Sequence, residues 1–498
     1  MAQEQPAQTA CVILARGEGE ALEVCWEQRA VGASFLPGYH AFIGGRVEPT
    51  DRYLGALHGH PDHAFFGCAL RELCEETGIV LVSPEARLAT PDEVLLHRLR
   101  AASCEDAGEF GTYVSDHGLR LAHERLEAAG RWTTPPWEPM RYETEFFVLR
   151  LRPHEASAFD AAREVLGWRG CWVRPVDALA AHRRGEVFVS GPTLAMLRHM
   201  AAGGAGRCDE VDHAGDPLVW SEHVGGVHIL PLKSPTLPPA THTNAYILGA
   251  RRFVVVDPGA DRPSEQERLH AAIAALQASG GVLEAVVLTH HHTDHVSGVS
   301  ALQARFGATP VWAHAETARL LAAGVVTRAL EDEEVFEVAD GAGQARRWRV
   351  LWTPGHAPGH LCFVEEMSGV GLVGDLIASV GTILVQPPQG HMGRYLESLE
   401  RVRALRLKAL LPAHGGPVLD PYEKLSFYIA HRLAREAKIE AALKGAAGGA
   451  LPSELVPVAY ADAPRAAWPL AVMSLTAHLE RLEELGRARR DGARWLAM

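Results

Sequence analysis

Short apolar runs in the second half of this chain end, one after another, on a histidine or an aspartate. "FVVVD" delivers Asp257, "AVVLTH" His290, "RVLWTPGH" His356, "GVGLVGD" Asp375 and "LLPAH" His414. Runs of this length bounded by Gly and Pro read as buried strands. A chain built this way must place its polar side chains where the backbone leaves a sheet. In "LTHHHTDHVSG" alternate side chains of an extended backbone share a face, so His290 and His292 point the same way. Asp294 and His295 follow at the start of a helix. A single histidine is more often a surface or core residue than a ligand. Five histidines and two aspartates, all at apparent strand ends, would make a two-metal site with nitrogen and oxygen ligands.

Composition excludes other classes. At 498 residues the chain has room for two to four domains. Its 47% hydrophobic and 22% charged residues are those of a globular protein rather than a disordered one. A formal net charge of -13 gives no general attraction to nucleic acid or anionic membrane. Eight cysteines without a CxxC pair read as reduced core residues. With no signal peptide and no apolar run of about 18 residues, a cytoplasmic location without membrane association is expected.

Four segments are expected. Residues 1–205 open with "ACVILA" and "LEVCWEQ", continue through a helical "FFGCALRELCEETGI", and reach the strand-like "TEFFVLRL". Residues 206–224 lie in a stretch rich in Gly, Ala and polar side chains and read as a linker. Residues 225–430 alternate strands with helices. Residues 431–498 are helical and end in a short β pair.

The pattern of residues 225–430 resembles the metallo-β-lactamase superfamily, whose H-x-H-x-D-H signature is followed by a later His, Asp and His. The resemblance implies an αββα sandwich in which His290, His292 and His356 bind one metal. Asp294, His295 and His414 then bind the second, Asp375 bridges the two, and Asp257 orients ligands from behind. Two zinc ions are expected, with iron or manganese as alternatives because the set has no thiolate. Such a pair ionises water near neutral pH, with Asp294 accepting a hydrogen bond from the nucleophile. His291, His360 and Cys362 match no ligand position and are read as structural.

In "RELCEETGI", Glu72, Glu75 and Glu76 fall on one helix face, where like charges repel unless solvent or a cation compensates. The stretch resembles the second half of the Nudix box, with Arg71 in its arginine position. Gly44 and Gly45 match the glycine pair upstream, and Asp51 stands where the family usually has Glu. An insertion separates Asp51 from Arg71, as in the branch that includes coenzyme A diphosphatases of the type-19 kind. The resemblance implies an α/β/α sandwich in which the three glutamates hold Mg²⁺, or Mn²⁺, on a diphosphate. The tail resembles the winged-helix-like end of the β-lactamase-like protein 2 group. Its Arg487, Arg489, Arg490 and Arg494 have two readings, contact with phosphates or packing on the catalytic domain, and the acidic "ERLEE" favours packing.

The expected fold is therefore multidomain, α/β and α+β. The expected function is hydrolysis at two sites: a thioester or ester at the dinuclear centre and a coenzyme A- or nucleotide-linked diphosphate at the Nudix helix. Small molecules, possibly coenzyme A derivatives, are the expected partners. Two alternatives are a single-stranded RNA endonuclease and a nucleotide sensor with an inactive Nudix domain. The short interval between Asp375 and His414 leaves no room for the large insert of the nucleic-acid-processing branch, so nucleic acid is not favoured.

Overall fold

The computed structural model describes residues 5–30, 32–33, 36–56, 63–78, 80–83, 87–89, 108–134, 141–166, 169–204, 206–209 and 221–498. The chain divides into two compact units, Met1–Val219 and Trp220–Met498. Most of the expected linker, residues 210–220, lies outside the described residues.

The first unit is an α/β/α sandwich. Its central strand, Ala7–Arg16, runs parallel to Tyr142–Arg150, pairing Ala7 with Tyr142 through Ala15 with Arg150. Antiparallel strands Glu23–Gln28 and Glu127–Thr133 extend the sheet to either side, and Cys171–Val173 closes one edge. The period-2 pleat explains the layers. Val12 and Leu14 face the helix His63–Thr77, which contributes Phe66, Leu70 and Leu73. Ile13 and Ala15 face the opposite way, onto Leu194 and Leu197 of the helix Gly191–Ala201. That helix starts cleanly because the Ser190 hydroxyl accepts the Thr193 N–H and Pro192 occupies its first turn.

The second unit is built on a 12-stranded mixed sheet with two limbs. One limb contains Val227–Lys233, His242–Leu248, Arg252–Val256, Val282–Val287 and Val311–Ala313, the last three parallel. Its outer helices, Pro263–Ala278 and Val299–Phe306, bury Leu269, Ile273 and Leu302 against it. The other limb contains Ala345–Trp352, Leu361–Glu365, Val370–Gly374 and Ala409–Pro412. The helices Met392–Ala404 and Pro421–Lys444 cover it with Tyr395, Leu399, Leu425 and Tyr428. The ends of the limbs are tied by Asn244, whose amide donates to the Pro412 and Gly415 carbonyls at 2.9 and 2.8 Å.

The tail has its own core. Helices Pro452–Ala459 and Trp468–Glu484 pack with the end of Pro421–Lys444 and with the hairpin Ala488–Asp491/Arg494–Ala497. Leu443, Leu455, Leu475, Leu479 and Trp495 form its centre.

Two of the three expected boundaries, at 224/225 and 430/431, fall within a hairpin and a helix. Gly225 and Gly226 form the turn of a hairpin, Ser221–Val224 with Val227–Lys233, instead of following a linker. The helix Pro421–Lys444 runs without a break through residues 430 and 431, since nothing there stops a helix. No helix among the described residues is long and apolar enough to cross a membrane.

Trp495 is 2% exposed at the centre of the tail. Trp495→Ala is expected to lower the unfolding free energy by about 3–5 kcal/mol, measured by urea denaturation.

Candidate functional site

Strand Val282–Val287 ends in buried Leu288 and Thr289, and the next residues turn out of the sheet. Asp257, one residue beyond the neighbouring parallel strand Arg252–Val256, holds this turn. Its backbone adopts φ 50, a conformation that costs a non-glycine residue energy. One carboxylate oxygen accepts the Thr289 N–H at 2.8 Å, and the other accepts the Thr289 hydroxyl at 2.5 Å and His295 Nδ1 at 2.8 Å. A carboxylate only accepts, so His295 carries its proton on Nδ1 and turns Nε2 inward. The following Gly259 is required by close approach, since a Cβ there would lie 1.8 Å from the Asp294 carbonyl oxygen.

The same device recurs. His356 Nδ1 donates to the Leu384 carbonyl at 2.8 Å, and His414 Nδ1 to the His242 carbonyl at 2.9 Å. Each ring is thereby locked with Nε2 facing the others, as in sites where an outer acceptor orients a metal-binding imidazole. His356 Nε2 lies 3.2 Å from His290 Nε2 and 2.9 Å from His292 Nδ1, and the latter two are 2.9 Å apart. A tetrahedral ion with nitrogen ligands at about 2.1 Å would space them by roughly 3.4 Å.

Seven side chains converge as two candidate ligand groups: His290, His292, His356 and Asp375, then Asp294, His295 and His414. Asp375 lies between them. Its Oδ2 is 3.3 Å from His356 Nε2 and 3.7 Å from His295 Nε2, and its Oδ1 is 3.2 Å from His414 Nε2. Two of these atoms, His295 Nε2 and Asp375 Oδ1, are buried and make no hydrogen bond. Such atoms normally find a partner, so the donor set fits a pair of divalent cations.

Electrostatics agree. Burial pushes His290 well below the usual imidazole range, His292 down to about 4 and His356 to about 3, so their lone pairs are free at neutral pH. Burial opposes charge on Asp375 as well, but His414 and His295 outweigh it and hold the carboxyl well below its ordinary value.

His360 belongs to the arrangement. Its Nδ1 lies 2.8 Å from the Thr353 hydroxyl, and its Nε2 accepts the Asp375 N–H at 3.0 Å. His291 Nε2 contacts Gln389 Oε1 at 2.8 Å, and Cys362 is buried beside Thr353.

In the first unit, Arg71 grips Asp51 through two nitrogens at 2.9 and 3.0 Å, both residues being buried. Asp51 also accepts the Glu48 N–H, leaving it a scaffold rather than an open ligand. Arg71 Nη1 contacts Glu72 and Glu75, each at 2.8 Å. Among the described residues the three glutamates form no ligand group like the two above, and Arg71 holds one oxygen of Glu72 and one of Glu75. Glu76 is otherwise: its buried Oε2 makes no hydrogen bond, and burial, then Glu72, raises its carboxyl well above the ordinary range. Burial moves Glu75 up to about 7. Gly45 admits Glu72, whose Oε1 would sit 2.2 Å from a Cβ there. Gly44 backs the helix through a backbone hydrogen bond to Glu76.

A profile of the metallo-β-lactamase superfamily matches residues 238–414, the span holding all seven converging side chains. Residues 238–414 are a metallo-β-lactamase superfamily domain. The β-lactamase associated winged helix domain matches residues 452–495. This chain is 28% identical over 252 residues to a β-lactamase-like protein 2 homolog of Drosophila melanogaster, covering 50% of this chain and 84% of the relative. It is 31% identical over 203 residues to the lactamase-like protein adaB of Aspergillus niger, covering 41% of this chain and 59% of the relative. Of solved structures, a metallo-β-lactamase family protein from Thermus thermophilus is 28% identical with TM-score 0.44, covering 55% of this chain and 99% of that one. A NUDIX hydrolase from Alicyclobacillus acidocaldarius is 26% identical with TM-score 0.34, covering 40% and 93%.

Removing the Asp257 carboxylate strands the Thr289 N–H and His295 in the core. Asp257→Ala is expected to cost about 3–5 kcal/mol of stability, read by chemical denaturation.

Proposed function

We propose that the metallo-β-lactamase domain hydrolyses a thioester or related ester of a small molecule, with both ligand groups loaded. The convergence of the seven side chains, with two buried atoms left without hydrogen bonds, carries this reading. When bound, the cation pair supplies Lewis acidity toward the scissile carbonyl and makes water nucleophilic near pH 7. His290, His292 and His356 hold one position, Asp294, His295 and His414 the other, and Asp375 serves both. Asp294, with its carboxylate 3.6 Å from His414 Nε2 and its side chain 14% exposed, is the more open of the two aspartates and accepts a hydrogen bond from the attacking water. Zinc fits this donor set first, iron or manganese next.

The first unit is proposed as a Nudix diphosphohydrolase. Glu72, Glu75 and Glu76 hold magnesium or manganese against a diphosphate, with Arg71 fixed on Asp51 to keep the helix face in place. Burial raises the Glu75 carboxyl to about 7, which suits proton acceptance near neutrality. Coenzyme A derivatives are a substrate class that would serve both units.

The tail weighs against nucleic acid. Arg487 pairs with Glu440, and Arg494 with Glu454 at 2.9 Å. The Arg490 guanidinium turns back to the Gly492 carbonyl.

An acyl-CoA panel tests both sites in one protein. Thiol release is expected to stop with His356→Ala or a chelator and to return when metal is restored to wild type. Glu76→Gln is expected to silence only cleavage yielding 4′-phosphopantetheine products. Cleavage of labelled single-stranded RNA by wild type but not by His290→Ala would replace the thioester reading with a nuclease.

A further inference from the structure

The segment that follows Asp375 has no strand or helix up to His391, so its carbonyls lack ladder partners and must be satisfied by something else. One stripe of the helix Pro421–Lys444 does this, through three side chains spaced four apart. Lys424 Nζ donates to the Ser379 carbonyl at 2.8 Å. The Tyr428 hydroxyl accepts the Ala378 N–H at 2.9 Å and lies 3.2 and 3.0 Å from the carbonyls of Ala378 and Gly381. The Arg432 guanidinium donates to the Ile383 carbonyl and lies over the Tyr395 ring. Tyr428 and Arg432 are almost wholly buried.

What this segment does next links the stripe to the metal centre. It leaves from Asp375. The Ser379 N–H donates to the His414 carbonyl at 3.1 Å. The carbonyl of Leu384, one residue past the atom Arg432 grips, accepts from His356 Nδ1 at 2.8 Å. A carbonyl on irregular backbone is only as fixed as the groups beside it. Here its neighbour is pinned by a cation with a planar donor fork, buried and unable to relax into water.

We infer that Lys424, Tyr428 and Arg432 are positioning residues for the metal centre: they fix the segment Ala378–Leu384 and, through the Leu384 carbonyl, the ring of His356. The inference rests on the metal reading of this site proposed above. It makes metal affinity at the His290–His292–His356 group depend on a helix outside residues 238–414.

The test is zinc affinity of the full chain, read by competition with a chromophoric chelator. Wild type is expected to hold two equivalents. Arg432→Met acts one step beyond the ligand's own partner, and is expected to weaken one equivalent by about 10-fold, the low end of the effect of losing such a partner, and to spare the other. Tyr428→Phe, which keeps the buried ring, is expected to weaken the same equivalent by a smaller factor. The control is Arg435→Met on the same helix. Arg435 pairs with Asp462 at 2.8 Å and with the Ala459 carbonyl, so its loss disturbs the tail but not the segment. Its zinc affinity is expected to match wild type.

Two wild-type equivalents with Arg432→Met unchanged would overturn this inference alone, as would an equal loss in Arg435→Met. If Arg432→Met does not fold, an unchanged affinity in Tyr428→Phe overturns it. Wild type that binds no zinc, iron or manganese would overturn the metal reading and this inference together.

Discussion

One carboxylate organises the centre of the second unit. Asp257 accepts the amide and hydroxyl of Thr289 and the ring of His295, joining the ends of two parallel strands to the first turn of a helix. Without it, the backbone between Leu288 and His295 would have to satisfy buried polar groups some other way. With it, the positions of His290, His292, Asp294 and His295 follow from the geometry of the strand exit. The strained backbone at Asp257 is the local cost of placing a carboxylate there.

A second principle repeats around the centre: for three of the five imidazoles, an acceptor outside the cluster sets which nitrogen points in. Asp257 does this for His295, the Leu384 carbonyl for His356 and the His242 carbonyl for His414. His360 acts in the other direction, accepting the backbone N–H of Asp375. Orientation by fixed outer groups means that the rings need not reorganise when a cation arrives. It also spreads the determinants of the site over both limbs of the sheet.

The acidic helix of the first unit follows a different logic. Arg71 is committed to Asp51 by a buried two-point contact, donates to the Arg46 carbonyl at 2.8 Å, and reaches both Glu72 and Glu75 with Nη1. Glu76 is left with a buried oxygen that nothing satisfies. Repulsion among the three carboxylates is therefore relieved at two of them by direct contact with Arg71, and only in part at the third, by the Gly44 backbone and the more distant Arg29.

Much of this was legible in the chain. The strands ending on His or Asp, the amphipathic helix His63–Thr77 and the three-helix tail with its β pair follow from periodicity and turn chemistry, which are local. The identities of the seven converging side chains came from their order along the chain and its resemblance to a known signature, since all seven lie beyond strand ends or in the short helix Thr293–Val296, where no pleat sets their direction. The sequence could not show that Asp51 is consumed by Arg71 or that Gly225 turns a hairpin. Nor could it show that one helix runs through residues 430 and 431. The partners that orient the rings were equally hidden: two of the three are backbone carbonyls, which every residue has, and become acceptors only when distant segments pack. Residue type determines what a side chain can do. Tertiary structure decided which nitrogen of each ring does it, because a hydrogen bond to one face of an imidazole is set by whatever the fold brings to the other.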